Sequence, residues 1–227
     1  VPMFGYIISS KKLNNLDKEG TQSPSLKNLS SLTNAASTNV LNMVHYFTKD
    51  EDNLFKEIDQ VFSLNSLYKS GYCEALQLNL PWPSLKQIEW IKNKYMHMDI
   101  VLQLPKEVME NKTVKEISSK AKEYEGLVSY VLIDPSGGLG VDFDVKRSKD
   151  LMLELDKVIP KTTIGVAGGF SGYNVEQRIR DLKKDFYTPF CIDGQGKLRN
   201  KENKRSLDFS ESTRYIHGAA RSLQILK

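Results

Sequence analysis

Three glycine-rich segments of this chain have the composition of anion-binding loops. Each follows a short apolar run and precedes a stretch with helical spacing: SGGLG (136–140), AGGFSG (167–172) and DGQG (193–196). Glycine reaches positive φ and admits close approach to the backbone, and successive N–H groups ahead of a helix form an anion-binding concavity. The last two segments therefore predict a phosphate site. Its residues are Gly168, Gly169, Gly194, Gln195 and Gly196. The alternative interpretation, which one segment alone would favour, is that the glycines only form tight turns.

The spacing of these glycines excludes two common phosphate-binding motifs. The sequence contains no G-x-x-x-x-G-K-[ST], so no nucleotide P-loop is predicted. It also lacks the G-x-G-x-x-G spacing of dinucleotide-binding folds. We assign the glycines of the first segment, Gly137, Gly138 and Gly140, to a substrate pocket.

Polar residues stand late in five of the apolar runs. They are His45, Gln77, Asn79, Gln103, Asp134 and Asp193. Each alone has a structural explanation, since a strand-end Asp caps helices and a lone His in an apolar strand is more often a core residue. Together they predict a functional mouth, because the carboxyl ends of parallel strands meet on one side of a barrel. The first four would line the substrate pocket.

Asp134 and Asp193 are the candidate acid–base pair. Two carboxylates in one low-dielectric site have pKa values that move apart. Such a pair suits separate proton-donating and proton-accepting roles.

Seven strand–helix units alternate along the chain and would position these residues. The predicted strands are 3–9, 40–47, 73–80, 99–104, 128–133, 162–167 and 190–193. This alternation predicts a parallel sheet with right-handed crossovers. A (β/α) barrel fits it, and a doubly wound open sheet is the structural competitor. Because no Pro/Ser-rich linker or block change in charge interrupts the pattern, we expect one domain over residues 1–227.

The amino-acid composition limits the kinds of binding partner and the cellular compartment that we expect for this protein. Lys and Arg number 32 against 28 Asp and Glu, which gives a net charge of +4. Because the positive and negative residues are interspersed along the chain, the charge does not suggest a nucleic-acid-binding domain. Cys73 and Cys191 form no C-x-x-C pair, so we expect neither a disulfide framework nor a zinc site. No apolar run approaches the roughly 18 residues of a membrane span. We expect a cytoplasmic monomer or homodimer without membrane or nucleic-acid partners, metal or cofactor.

Ordered motifs resemble the phosphoribosylanthranilate isomerase family. VLIDPSGGLGVDFDV (131–145) is similar to the family segment in which a strand ends in Asp before a Gly-Gly-x-Gly loop and Phe-Asp. IGVAGGFSGYNV (164–175) resembles its next strand, and FCIDGQGKLR (190–199) its final strand and phosphate loop. HYFTKDEDNLFKEID (45–59) and EALQLNLPWPSLKQIEWIK (74–92) resemble earlier units more loosely. The resemblance is ordered over residues 40–227 and specific over 131–196.

The resemblance implies a (β/α)8 TIM barrel of the ribulose-phosphate-binding type. It would place a general acid at Asp134, a substrate-contacting carboxylate at Asp193, and phosphate on Gly168–Gly169 and Gly194–Gly196. Matching the motifs puts the last three strands at positions six, seven and eight of the barrel. The first β/α unit would then be absent from this chain or irregular, with Met3–Ser9 as a displaced strand.

Three departures from the family pattern bear on activity. The family's Lys-x-Cys-Gly signature, whose Cys is the general base, does not occur here. Gly-Gln-Gly (194–196) stands where the family has Ser-Ser-Gly, and Gln77–Leu80 reads Gln-Leu-Asn-Leu in place of Gln-Leu-His-Gly. A diverged relative with another phosphorylated substrate fits these departures.

The leading functional hypothesis is an isomerase or lyase that acts on a phosphorylated, sugar-like small molecule by acid–base catalysis. The alternatives are a phospho-ligand-binding protein that has lost the catalytic base, and a structural or interaction barrel.

Overall fold

The computed structural model describes residues 2–14, 23–35, 40–64, 67–69, 71, 73–136, 145–202 and 206–223. The chain divides into two compact α/β units. The first comprises residues 1–103 and 126–130, and the second comprises residues 104–125 and 131–227. Gly137, Gly138 and Gly140, which were predicted to line a pocket, lie outside the described residues.

The first unit is built from parallel strands that neighbour one another in chain order. The strands are β1 (Met3–Ser9), β2 (Leu41–Phe47), β3 (Ala75–Asn79) and β4 (Asp99–Leu104, whose last residue belongs to the second unit). The helices are α1 (Ser10–Leu13), α2 (Leu26–Ala35), α3 (Leu54–Leu64) and α4 (Leu85–Lys94). All residues of β3 except the last are buried, as expected for a parallel strand covered on both faces. Helix α3 buries Leu54, Ile58, Val61 and Phe62, which form one stripe at helical spacing.

The segment after β1 differs from a sequence-based expectation. The polar stretch at 10–23 suggests a surface loop, whereas Ser10–Leu13 forms the short helix α1. The Ser9 hydroxyl accepts a hydrogen bond from the Lys12 backbone N–H and so caps this helix. Leu13 is buried and holds the turn against the unit.

The second unit repeats the strand–helix alternation. Its strands are β5 (Tyr130–Ile133, whose first residue belongs to the first unit), β6 (Thr163–Val166) and β7 (Phe190–Ile192). Its helices are α5 (Lys106–Asn111), α6 (Val114–Lys122), α7 (Val145–Val158), α8 (Val175–Lys183) and α9 (Phe209–Ser222). The Ala167 N–H donates to the Ile133 carbonyl at 2.8 Å, which links the ends of β5 and β6, and β6 pairs in parallel with β7. A capping box of Thr113 and Glu116 starts α6.

All seven predicted strands are present, and helices alternate with them. The parallel α/β class is therefore confirmed, while the complete eight-stranded barrel and the single domain stay predictions. Within the described part of the chain, no helix is long and apolar enough to cross a membrane.

Close packing around β6 leads to a stability prediction. A Cβ at Gly165 would lie 2.8 Å from the Cys191 Sγ and 3.0 Å from a methyl carbon of Leu132. We expect Gly165→Ala to lower the free energy of unfolding by about 1–3 kcal/mol through overpacking. In a Cys191→Ala background, which removes the nearer atom, the loss should shrink. A double-mutant cycle in denaturant measures this coupling. Equal losses in both backgrounds would show that Cys191 is not the obstacle.

Candidate functional site

The loop after β6 has the backbone conformation that its glycines predict. Gly168 and Gly169 have φ angles of 109° and 62°, in the region that side chains disfavour. Arg178 Nη1 donates to the Gly168 carbonyl at 2.6 Å, and Asn174 Nδ2 donates to the Gly169 carbonyl at 2.9 Å. Because both carbonyls are held by side chains of this unit, the glycine pair has a defined orientation. Both positions need glycine for the backbone itself, whatever the loop binds.

A buried carboxylate on helix α9 is hydrogen-bonded to the same loop. Glu211, 7% exposed, accepts the Gly172 N–H at 2.6 Å and the Arg214 guanidinium at 3.0 Å. A Cβ at Gly172 would lie 2.5 Å from the Cβ of Arg214, so glycine is required for this approach. The Gly172 amide is therefore bound by protein. Neither Glu211 nor Arg178 stands in a glycine segment or at a strand end, so the sequence pattern did not predict either of them.

The loop after β7 brings Asp193 and Gly194 beside helix α9. The Asp193 N–H donates to the Val166 carbonyl at 2.9 Å and continues the ladder between β6 and β7. A Cβ on Gly194 would lie 3.1 Å from the Tyr215 Cζ. Gly194 is not among the described glycines with positive φ, so its requirement for glycine comes from the Tyr215 ring and not from backbone strain. Gln195 then leads into a short 3-10 turn, Gly196–Leu198.

The two predicted acid–base carboxylates lie in the same unit and interact. Burial first, and the charge of Asp134 second, raise the pKa of Asp193 to about 6, against the opposing effect of a hydrogen bond from the Gly194 N–H. Solvent reaches the Asp193 side chain. The raised pKa of Asp193 therefore reflects the neighbouring protein atoms and the charge of Asp134, and not complete burial of the carboxyl group. A carboxyl that titrates near neutral pH suits proton transfer.

Asp134 also has the structural role that the sequence analysis left open. It is 5% exposed, and its Oδ1 accepts the Ser136 N–H at 3.1 Å and the Ser136 hydroxyl at 2.8 Å. These bonds form a turn at the start of the first glycine segment. Asp134 thus organises its loop and at the same time acts electrostatically on Asp193.

The first unit holds a separate row of polar side chains on its strands. His45 on β2 stands in register with Gln77 on β3, and the His45 Nε2 lies 3.4 Å from the Gln77 Nε2. The Gln77 Nε2 donates to the Gln103 Oε1 at 2.9 Å, and both glutamines are buried. These three side chains therefore lie together, and their assignment to a substrate pocket stays a prediction. Asn79 lies half-buried at the end of β3.

The described residues offer no metal centre. Among them, no group of three or more His, Cys, Asp or Glu side chains is arranged to hold a metal ion.

Comparison with known proteins supports the fold. No family model matches the chain, and no curated protein matches its sequence. Phosphoribosyl anthranilate isomerase from Thermotoga maritima is similar in structure, with a TM-score of 0.66 and 14% identity over 96% of this chain and 88% of that one. A phosphoribosyl anthranilate isomerase in complex with reduced 1-(o-carboxyphenylamino)-1-deoxyribulose 5-phosphate has a TM-score of 0.63 and 14% identity over 96% of this chain and 87% of that one. A native KDPGal structure has a TM-score of 0.56 and 13% identity over 99% and 97% of the respective chains.

The raised pKa of Asp193 predicts a pH-dependent effect of Asp193→Asn. The folded protein holds this proton more tightly than the unfolded chain, whose Asp pKa is about 4. Ionised Asp193 therefore destabilises the fold increasingly as pH rises from about 4 to its folded-state pKa of about 6. We expect the stability of Asp193→Asn relative to wild type to increase over this range, measured by denaturant unfolding at several pH values.

Asp181→Asn provides a control of opposite sign. A hydrogen bond from Lys184 and another from Gln177 lower the pKa of Asp181, so its ionised form is favoured in the folded state. The relative stability of this variant should fall as the pH rises. A pH-independent difference between Asp193→Asn and wild type would contradict the raised pKa of Asp193.

Two substitutions at Asp134 separate its two roles. Asp134→Asn keeps an oxygen that accepts from Ser136, so the loss of stability should be small. Asp134→Ala leaves the Ser136 donors unpaired and should cost about 1–3 kcal/mol. Both variants remove the charge and should lower the pKa of Asp193, which carboxyl titration by NMR measures. An unchanged titration of Asp193 in both variants would show that Asp134 has only the loop role.

Proposed function

We propose that this protein binds a phosphorylated small molecule at the loops that follow β6 and β7. The observation that carries the proposal is the left-handed pair Gly168–Gly169, clamped by Arg178, in the same unit as Asp193 and the turn at Gly194–Gly196. Backbone amides in glycine-rich turns ahead of helices are suited to phosphate oxygens. The similar isomerase structure with a bound 5-phosphate compound supports the same class of ligand.

We further propose that the second unit performs acid–base chemistry on this ligand, as an isomerase or lyase of the TIM-barrel type. Asp193, whose pKa is raised to about 6, exchanges protons with the substrate near neutral pH. Asp134 raises that pKa through its charge and acts as the partner carboxylate. The His45–Gln77–Gln103 row of the first unit is a separate candidate surface for polar groups of a ligand, and the proposal for the second unit does not depend on it.

A phospho-ligand-binding protein without catalysis is the second candidate function. The cysteines favour it, because burial raises the pKa of Cys73 to about 11 and that of Cys191 to about 12. Neither is a thiolate at neutral pH, and so neither supplies the cysteine base of the family that the sequence resembles. Incubation with pentose phosphates in D2O separates the candidates. Acid–base isomerisation places deuterium on carbon, whereas binding alone does not.

The phosphate site is tested by ligand-induced thermal shifts. D-ribose 5-phosphate should raise the melting temperature of the wild-type protein, and D-ribose should not. Gly169→Ala should abolish the difference, because a Cβ at φ 62° strains the loop and would displace the amides proposed to bind phosphate.

Gly71→Ala is the matched control for backbone strain. Gly71 has a φ of 69°, and a Cβ there would meet nothing within 4 Å. Both variants should lose similar stability, about 1–2 kcal/mol, but only Gly169→Ala should lose the response to phosphate. If D-ribose stabilises the wild-type protein as much as D-ribose 5-phosphate does, the phosphate site is disproved.

A further inference from the structure

Three polar side chains of the first unit form a hydrogen-bonded row across neighbouring strands. His45 on β2 stands in register with Gln77 on β3. Gln77 stands in register with Val101 on β4, and Gln103 lies two residues further along that strand, on the same face. The Gln77 Nε2 lies 2.9 Å from the Gln103 Oε1 and 3.4 Å from the His45 Nε2. The nitrogen of one side-chain amide therefore contacts both neighbours.

The two buried glutamines determine the direction of these hydrogen bonds. Gln77 and Gln103 are 3% and 4% exposed, and a buried amide group without a partner destabilises a fold. The bond between them is the shorter one, and reversing the Gln77 amide alone would place two oxygen atoms in contact. An amide NH2 group has two hydrogens and only donates. The second hydrogen of the Gln77 Nε2 is therefore directed to His45.

His45 is the half-buried end of this row. Solvent reaches its side chain, whereas the two glutamines are enclosed. Its register partner on β1 is Ile7, whose side chain forms no hydrogen bonds. An imidazole nitrogen that accepts a hydrogen bond carries no proton, so the proton of the neutral ring lies on the other nitrogen. In His45 that nitrogen is Nδ1.

We propose that Gln103 and Gln77 are positioning residues that hold neutral His45 with its proton on Nδ1. Gln103 orients the Gln77 amide, and this amide occupies the lone pair of the His45 Nε2. His45 then presents a hydrogen-bond donor to an oxygen atom of a ligand, and its Nε2 does not serve as a base. The inference goes beyond the phosphate site of the second unit and does not depend on it.

Nitrogen-15 NMR of the histidine side chains tests the inference, because protonated and unprotonated ring nitrogens have different chemical shifts. Spectra are recorded above about pH 8, where an ordinary imidazole is neutral. The chain has three histidines, and the signals that disappear in His45→Gln belong to His45. In the ligand-free wild type we expect a protonated Nδ1 and an unprotonated Nε2 for His45. A protonated Nε2 would overturn the inference.

Two leucine variants test whether the glutamines set this tautomer. Gln77→Leu removes the donor to His45, and Gln103→Leu removes the acceptor that orients the donor. Both should shift the His45 signals toward a mixture of the two tautomers. The signals of the exposed His97 and His217 should not change. A purely structural role of the glutamines would leave the tautomer of His45 as it is in the wild type.

Gln60→Leu is the matched control, because it makes the same substitution at an exposed position on helix α3 of the same unit. Its His45 signals should equal those of the wild type. If Gln77→Leu and Gln103→Leu also keep the wild-type tautomer, the glutamines do not position His45 and the inference is wrong. If a leucine variant does not fold, the tautomer of the wild type decides the inference.

Discussion

The close approach of helix α9 to the rest of the second unit is the constraint on which the candidate site depends. Three glycines permit it, because a Cβ at each would collide with a neighbour. A Cβ on Gly172 would meet Arg214, one on Gly194 would meet Tyr215, and one on Gly218 would lie 2.7 Å from Val175. The helix therefore lies within van der Waals distance of both glycine loops. Buried Glu211 completes the contact by accepting the Gly172 amide.

The same packing sets the electrostatics of the site. Burial first, and the charge of Asp134 second, raise the pKa of Asp193, which directly follows β7, toward neutral pH. Burial first, and the charge of Asp193 second, raise the pKa values of Cys191 and Tyr215, which stay neutral. The site thus combines one titrating carboxyl with neutral donors.

The structural neighbours share an architecture with this chain and little of its sequence. They have the same alternation of strands and helices, with TM-scores between 0.56 and 0.66, at sequence identities of only 13–14%. The fold supports many chemistries, so the activity has to be argued from the residues of the site. Here those residues are a glycine pair held by side-chain hydrogen bonds and two interacting carboxyls, without a cysteine thiolate among the described residues.

The strands, the helices and the glycine turn after β6 can be predicted from the sequence, because each depends on residues that are close together in the chain. Apolar runs alternating with helical spacing define the strands and helices, because burial on two faces of a parallel sheet requires continuous apolar segments. The glycines at 168 and 169 mark a left-handed turn, since side chains disfavour positive φ. Gln77 and Gln103, which the sequence assigns to one substrate pocket, are joined by a hydrogen bond, while the pocket itself stays a prediction.

The distant residues that complete the candidate site are brought together by packing between helices and loops. Glu211 is 39 residues from the amide that it accepts, and nothing in its amphipathic helix specifies that contact. The same holds for Tyr215, whose ring, rather than backbone strain, explains why Gly194 has no side chain. The pattern of a helix shows which face is buried but not what covers it. The contacts of Glu211 and Tyr215 therefore follow from packing between elements, which depends on the three-dimensional approach of their surfaces.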